Sequence, residues 1–270
     1  MSDALSRNNV RVTGPEGAPF LVFLHGFGTD QTVWRRILPY FSNRFRVILM
    51  DHVGSGGSDK AAYDSSRYDS LDAYVADLVE VCDRLGVRDA TLVGHSVGSM
   101  MAVRAAAEDV EARFARVILL TSSPCYLNDD DQGYVGGFSR ADLDDLFESL
   151  DENYLVWAET MAPVYMNAPD APELDREVQG SFKRIGPRIA RDFARVAFLS
   201  DVRASLPDVG VPTLVLQGTD DIVTPDHVGH YLYERLPNAS LVQLAATGHF
   251  PQSSAPEETA AAMMNFLVAR

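Results

Sequence analysis

The stretch Gly94-His95-Ser96-Val97-Gly98 decides the fold. It follows the apolar run Ala90 to Val93 and precedes the helix-like segment Met100 to Ala107, so it reads as strand, sharp turn and helix with a serine at the apex. A backbone bent that tightly needs glycine on both sides, because a Cβ two residues before or after the apex would clash. The helix that follows directs its first free N–H groups toward the apex, where they stabilise negative charge on a neighbouring oxygen. Gly-x-Ser-x-Gly arises by chance in roughly one in ten chains of this length. The alternative, a turn whose serine only caps a helix, is therefore weighed against the rest of the chain.

Working outward, short apolar runs alternate with helical spacing. Phe20 to Leu24, Arg46 to Met50, Ala90 to Val93, Val117 to Thr121, Thr213 to Gln217 and Ser240 to Leu244 read as strands buried on both faces. Val33 to Phe41, Leu71 to Leu85, Val97 to Ala107, Val228 to Leu236 and Glu257 to Val268 read as helices. That alternation predicts an α/β fold, a mostly parallel sheet flanked by helices. From about 128 to 200 the rhythm breaks into helices alone: Ala141 to Glu152, Tyr154 to Ala162, Glu173 to Arg184 and Ile189 to Leu199. We expect a core of residues 1–127 and 201–270 with residues 128–200 inserted as a helical lid over the carboxyl ends of the strands. Phe138, Trp157, Met161, Val164, Phe193 and Phe198 would pack within the lid or line a pocket beneath it.

Composition narrows the function. The 270 residues are 46% hydrophobic, enough for a large core, and carry a formal charge of −15, which disfavours nucleic acid and anionic membranes as partners. No apolar run approaches the roughly 20 residues that span a bilayer, and the first nine residues lack the apolar stretch of a secretion signal, so a cytoplasmic protein is expected. Cys82 and Cys125 have no metal-ligand spacing, and neither a metal nor a cofactor is expected. Acidic residues crowd Asp129 to Glu152 with Arg140 as the sole basic residue there. They form a solvated face or a docking surface.

A serine nucleophile needs a base, and the base needs a carboxylate to hold its tautomer. Of six histidines, His249 in Thr247-Gly248-His249-Phe250-Pro251 is best placed, in the loop after the last strand. The acid is expected after Thr213 to Gln217, where Asp220 and Asp221 stand together. We select Asp221, four residues before Pro225, and leave Asp220 as a turn-former. The turn after Val117 to Thr121 holds Ser122-Ser123-Pro124 and no carboxylate. His25-Gly26-Phe27-Gly28 follows Phe20 to Leu24, where its glycines let the backbone turn toward the substrate. The Phe27 and Val97 N–H groups are then the expected oxyanion-hole donors. His52, His227 and His230 read as loop or helix residues in polar settings.

These segments, with His25 to Trp34, Asp51 to Gly56, and Ser123 to Asp129 leading into Gly136-Gly137-Phe138, resemble the α/β-hydrolase superfamily. They are similar in particular to RsbQ-type hydrolases of bacterial stress signalling and to the related plant karrikin and strigolactone receptors. The resemblance implies a V-shaped lid of four helices inserted after the sixth strand. Beneath it would lie a deep apolar pocket for a small ester or butenolide-like lactone, walled by His25, Phe27, His95, Tyr126, Phe138, Trp157, Met161, Phe193, Phe198 and Phe250. It also implies a regulatory protein partner and the triad Ser96, Asp221 and His249. His52 stands where relatives carry tyrosine or asparagine, and the acidic stretch at Asp129 to Asp131 looks about one residue longer. Two readings follow: a serine hydrolase working through an acyl-enzyme, and a ligand sensor whose hydrolysis is incidental. A dehalogenase is disfavoured because the apex is a serine. Cofactor-free haloperoxidase and carbon–carbon hydrolase chemistry remain open.

Overall fold

Runs such as Leu21–Leu24 and Leu92–Val93 have no polar side, so strands built from them must be covered on both faces. The computed structural model, which describes residues 3–269, meets this with one sheet of seven strands. They are β1 (Arg11–Thr13), β2 (Phe20–Leu24), β3 (Arg46–Leu49), β4 (Ala90–His95), β5 (Phe114–Leu120), β6 (Thr213–Thr219) and β7 (Ala239–Thr247). Their spatial order is β1-β3-β2-β4-β5-β6-β7, with only β1 antiparallel to its neighbour. After β2 the chain moves outward to β3 and then returns to add β4 on the other side. Connections from β2 and β4 thus leave in opposite directions and open a crevice at their carboxyl ends. Both glycine-containing turns of the sequence reading, after Leu24 and after His95, lie at that crevice.

Three expectations need correcting. Among the described residues the insertion follows the fifth strand, not the sixth, because four strands, starting with the three-residue β1, precede β5 in the chain. Val33 to Phe41 is not one helix: a 3-10 turn, Gln31–Trp34, precedes a separate helix, Leu38–Phe41. Pro39 has no N–H to continue the earlier turn. The strand expected at Ser240 to Leu244 is not buried on both faces. As β7 it is the sheet's last strand, with Ser240, Val242 and Gln243 exposed and Ala239 and Leu241 only partly buried.

Between β5 and β6 run the helices Arg140–Met166, Pro172–Arg184 and Pro187–Leu199. A capping box, Ser139 with Asp142, starts the first of them. Asn153 (φ −158°, ψ 87°) breaks it, and the Asn153 carboxamide oxygen accepts from the Val156 N–H at 3.2 Å, so the helix is recapped and restarts in a new direction. The two ends of the insertion meet where Cys125 bridges Asp201. Arginines distant in sequence reach the acidic stretch: Arg203 pairs with Asp129 at 2.7 Å, and Arg191 and Arg195 lie 3.4 Å from Asp151. Among the described residues no helix is long and apolar enough to cross a membrane.

The crossing of β4's turn against β2 leaves no room for side chains. A Cβ on Gly98 would stand 2.4 Å from the Leu24 carbonyl oxygen, and one on Gly94 would stand 2.5 Å from the Gly98 carbonyl oxygen. Gly98→Ala is therefore expected to lower stability by about 1–3 kcal/mol through overpacking. Chemical denaturation checks this, and an unchanged midpoint would mean the turn has slack the packing does not show.

Candidate active site

Ser96 occupies the apex with φ 56° and ψ −126°, a backbone region that L-residues rarely adopt and that costs on the order of 1–3 kcal/mol. The surroundings hold it there. The Ser96 N–H donates to the Leu120 carbonyl at 3.1 Å, the Ser99 N–H donates to the Ser96 carbonyl at 2.9 Å, and the Ser99 hydroxyl donates to the Gly94 carbonyl at 2.7 Å. The side chain thus projects from the sheet at the amino end of the helix Val97–Ala107.

Asp221 and His249 meet at the next loops of the sheet. Asp220, at φ 51°, turns the chain out of β6, and Asp221 Oδ2 faces His249 Nδ1 at 2.8 Å. The other bonds to this carboxylate come from its own turn: the Val223 N–H at 2.8 Å, the Thr224 N–H at 3.2 Å and the Thr224 hydroxyl at 2.5 Å. Burial pushes the Asp221 pKa up, but His249 and these donors outweigh it and hold the group below the ordinary carboxylate range. An ionised Asp221 draws the ring proton to Nδ1, which leaves the Nε2 lone pair free to act as a base.

The His249 backbone is tied down as firmly. Its N–H donates to the Tyr165 carbonyl at 2.8 Å, and its carbonyl accepts from His95 Nε2 at 2.8 Å and from the Thr121 hydroxyl at 3.1 Å. A Cβ on Gly248 (φ 77°) would strike the Met166 carbonyl oxygen at 2.3 Å, and the Thr247 hydroxyl donates to the Asn167 carbonyl at 2.9 Å. The end of the inserted helix Arg140–Met166 therefore packs directly on the loop carrying His249.

The loop after β2 comes close to the apex: a Cβ on Gly26 would lie 3.0 Å from Ser96 Cβ. The Gly26 carbonyl accepts from His25 Nδ1 at 2.9 Å and from the Thr29 hydroxyl at 3.0 Å. Because a trans peptide sets N–H opposite C=O, the Phe27 N–H points away from these donors. The Val97 N–H is the first of its helix and has no partner within it.

Ring positions sort the expected pocket residues. Phe27 has Trp157 at 6.0 Å, Phe193 at 5.9 Å and Phe198 at 6.1 Å, and Tyr126 lies 5.1 Å from Phe198 and 6.4 Å from Phe138. Met161 is half-buried beside this core, and Val164 is exposed on the outer side of its helix. His25, His95 and Phe250 differ from expectation. Each is fully buried beneath the site: the two histidines bond backbone groups, and the Phe250 ring lies 5.1 Å from His95 and 5.5 Å from His249. His52 lies in the loop after β3 but not in a polar setting: it is buried, its ring sits 4.1 Å from that of His25 and its N–H donates to His25 Nε2 at 3.0 Å.

Asp221 and His249 are hydrogen-bonded, whereas among the described residues Ser96 Oγ pairs with the Tyr126 hydroxyl at 3.1 Å and makes no hydrogen bond to His249. No cluster of three or more metal-ligating side chains occurs among these residues. Residues 19–256 match the family of the alpha/beta hydrolase fold. The chain belongs to the α/β-hydrolase family. Within it, the chain is 40% identical to strigolactone esterase D14 of Arabidopsis thaliana, covering 93% of each. It is 36% identical to Karrikin insensitive 2 receptor IA of Petunia hybrida, covering 93% of this chain and 90% of that one. A hydrolase from Oleispira antarctica superposes with a TM-score of 0.94 at 36% identity, over 99% of this chain and 97% of the other.

Sequence reasoning missed three supports of this α/β-hydrolase site: Thr224 on the carboxylate, Tyr165 on the His249 backbone, and the His25–His52 stack. Only Thr224 left a signal, as a hydroxyl three residues beyond Asp221. The buried histidines carry a further consequence. Burial lowers the pKa of His25, lowers that of His52 well below its ordinary value and takes His95 down to about 3, so all three take up protons less readily in the folded protein than in the unfolded chain, which protonates them below about pH 6.5. The unfolded state then binds more protons, and stability falls as pH drops. Each histidine contributes a slope of about 1.4 kcal/mol per pH unit until its folded pKa is reached. The thermal midpoint is expected to decline steeply from pH 6.5 to pH 5, whereas a flat profile would mean these rings accept protons without unfolding.

Proposed function

We propose that this protein hydrolyses a small, apolar ester or lactone through an acyl-Ser96 intermediate. The hydrogen bond between Asp221 and His249 carries the reading, because it prepares one imidazole nitrogen as a base at the end of the sheet that holds Ser96. Ser96 Oγ attacks the carbonyl carbon and its proton passes to His249 Nε2. Asp221 stabilises the imidazolium, and the Phe27 and Val97 N–H groups bind the oxyanion. His249 then returns the proton to the leaving alkoxide, leaving Ser96 acylated. A water, deprotonated by His249, releases the acid by the reverse path. The Ser96 to His249 contact this requires forms as substrate enters, since catalytic hydrogen bonds commonly tighten in the reacting complex.

In this reading residues 128–200 are the lid over a core of 1–127 and 201–270. The aromatic wall of Phe27, Tyr126, Phe138, Trp157, Phe193 and Phe198 selects a neutral, apolar ligand, because it presents no charged group and a charge buried there would go unpaired. The names of the relatives, esterases and receptors, support both hydrolysis and signalling. One observation favours the sensor as a second reading: the Tyr165 carbonyl and Asn167 on the inserted helix hold the His249 loop, so helix and base move together. A regulatory protein partner would then read the lid's position.

Ser96→Ala is expected to cut kcat for a p-nitrophenyl ester by 10³-fold or more, and His249→Ala by a similar factor. The initial-rate assay with both variants tests the hydrolase. Full turnover by Ser96→Ala would remove Ser96 from the reaction. Esters, lactones and diketones assayed side by side separate ester cleavage from carbon–carbon hydrolysis.

A further inference from the structure

Ser96 Oγ has a neighbour to which the triad assigns no task. The Tyr126 hydroxyl lies 3.1 Å from it, and the tyrosine is almost completely buried. Its ring is held between Phe198 and Phe138, and its backbone is braced from several sides. The Phe138 N–H donates to the Tyr126 carbonyl at 3.1 Å, and the Tyr134 hydroxyl donates to the preceding Cys125 carbonyl at 2.6 Å. Gly136 leaves the space this packing needs, since a Cβ there would stand 2.5 Å from the Tyr126 carbonyl oxygen. A side chain braced in this way arrives at the nucleophile already placed, which is what a transition-state donor requires.

We propose that the Tyr126 hydroxyl is a third hydrogen-bond donor at the reacting centre, beside the Phe27 and Val97 N–H groups. It holds Ser96 Oγ before attack and donates to the oxygens of the tetrahedral intermediate afterwards. The assignment rests on Ser96 being the nucleophile.

The direction of the bond follows from proton accounting. Ser96 has one hydroxyl proton, and attack requires that it go to His249 Nε2. Tyr126 is then the donor and Ser96 Oγ the acceptor. As the bond from Oγ to the carbonyl carbon forms, Oγ becomes a poorer acceptor, while negative charge gathers on an oxygen carried by that same carbon. The Tyr126 proton turns to the new acceptor without leaving its own oxygen. No atom is transferred, so only the interaction changes. Burial raises the Tyr126 pKa well above its ordinary value, so the hydroxyl keeps the proton it must donate throughout the working pH range.

Tyr126→Phe removes one oxygen and keeps the ring that packs on Phe198 and Phe138. We expect kcat/KM for a p-nitrophenyl ester to fall on the order of 10²-fold, the usual loss for one oxyanion donor. The loss should lie in kcat with KM little changed. An alkyl boronic acid, which forms a tetrahedral adduct on the serine, should lose affinity by a comparable factor, while the thermal midpoint stays within a few degrees. A purely packing role predicts the opposite: kcat/KM within about two-fold of the parent, or a boronate affinity that does not change. Either result overturns the assignment. Should Tyr126→Phe fold poorly, 3-fluorotyrosine at position 126 keeps the ring and strengthens the donor. Tighter boronate binding then supports the proposal, and unchanged binding overturns it. Ser96→Ala is assayed beside it. An inactive Ser96→Ala with a fully active Tyr126→Phe defeats the role of Tyr126 alone, whereas an active Ser96→Ala defeats the nucleophile and this proposal together.

Discussion

The site depends on one steric constraint: the bend that carries Ser96 is possible only where three backbone segments pass each other without side chains. At Gly94 and Gly98 a Cβ would meet backbone at 2.5 and 2.4 Å, and at Gly26 it would meet the His95 ring at 2.8 Å and Ser96 Cβ at 3.0 Å. Removing those Cβ atoms lets β4 turn sharply into its helix while the end of β2 lies against the turn. One geometry therefore sets several features together. It sets the serine at the apex of the turn, brings the first N–H of the helix beside it, and brings the Phe27 peptide to the same place. The strain at Ser96 is offset by the surrounding sheet and helix, which bury a large apolar area.

A second layer of the design joins the inserted helices to the chemistry. The Tyr165 carbonyl, Asn167 and Gly248 form a joint between the end of Arg140–Met166 and the loop of His249. A second joint pairs Arg184 with the buried Asp30, at 2.6 and 2.8 Å, beyond the Phe27 loop. The helices covering the site are thus anchored on the two loops that carry His249 and Phe27. Their aromatic inner side packs on Phe27, so a ligand entering there must displace or part those rings.

Much of this was legible in the chain before any coordinates. The alternation of apolar runs with helical spacing identifies the sheet, and Gly94 to Gly98 identifies its functional edge, because both are local patterns with direct steric or burial causes. Asp221 and His249 follow from the positions of their loops at strand ends. What was not legible depends on distance in sequence. The His25–His52 stack, the Tyr165 carbonyl under His249 and the arginines that reach Asp129 and Asp151 join segments whose meeting no local spacing encodes. β1 is too short to carry a period, and the edge position of β7 is a property of strand order. Tyr126 was read as pocket wall, and its hydroxyl contact with Ser96 is visible only once the turn after β5 is folded back over the apex.

The central claim is that Ser96 becomes a covalent nucleophile because His249, held by Asp221, takes its proton. Its most direct measurement is intact-protein mass spectrometry after reaction with a fluorophosphonate, followed by peptide mapping. The account predicts one adduct per chain, located on Ser96, that forms at least 10²-fold more slowly when His249 is replaced by alanine. Labelling at another residue, or labelling of Ser96 at the same rate without His249, would contradict it.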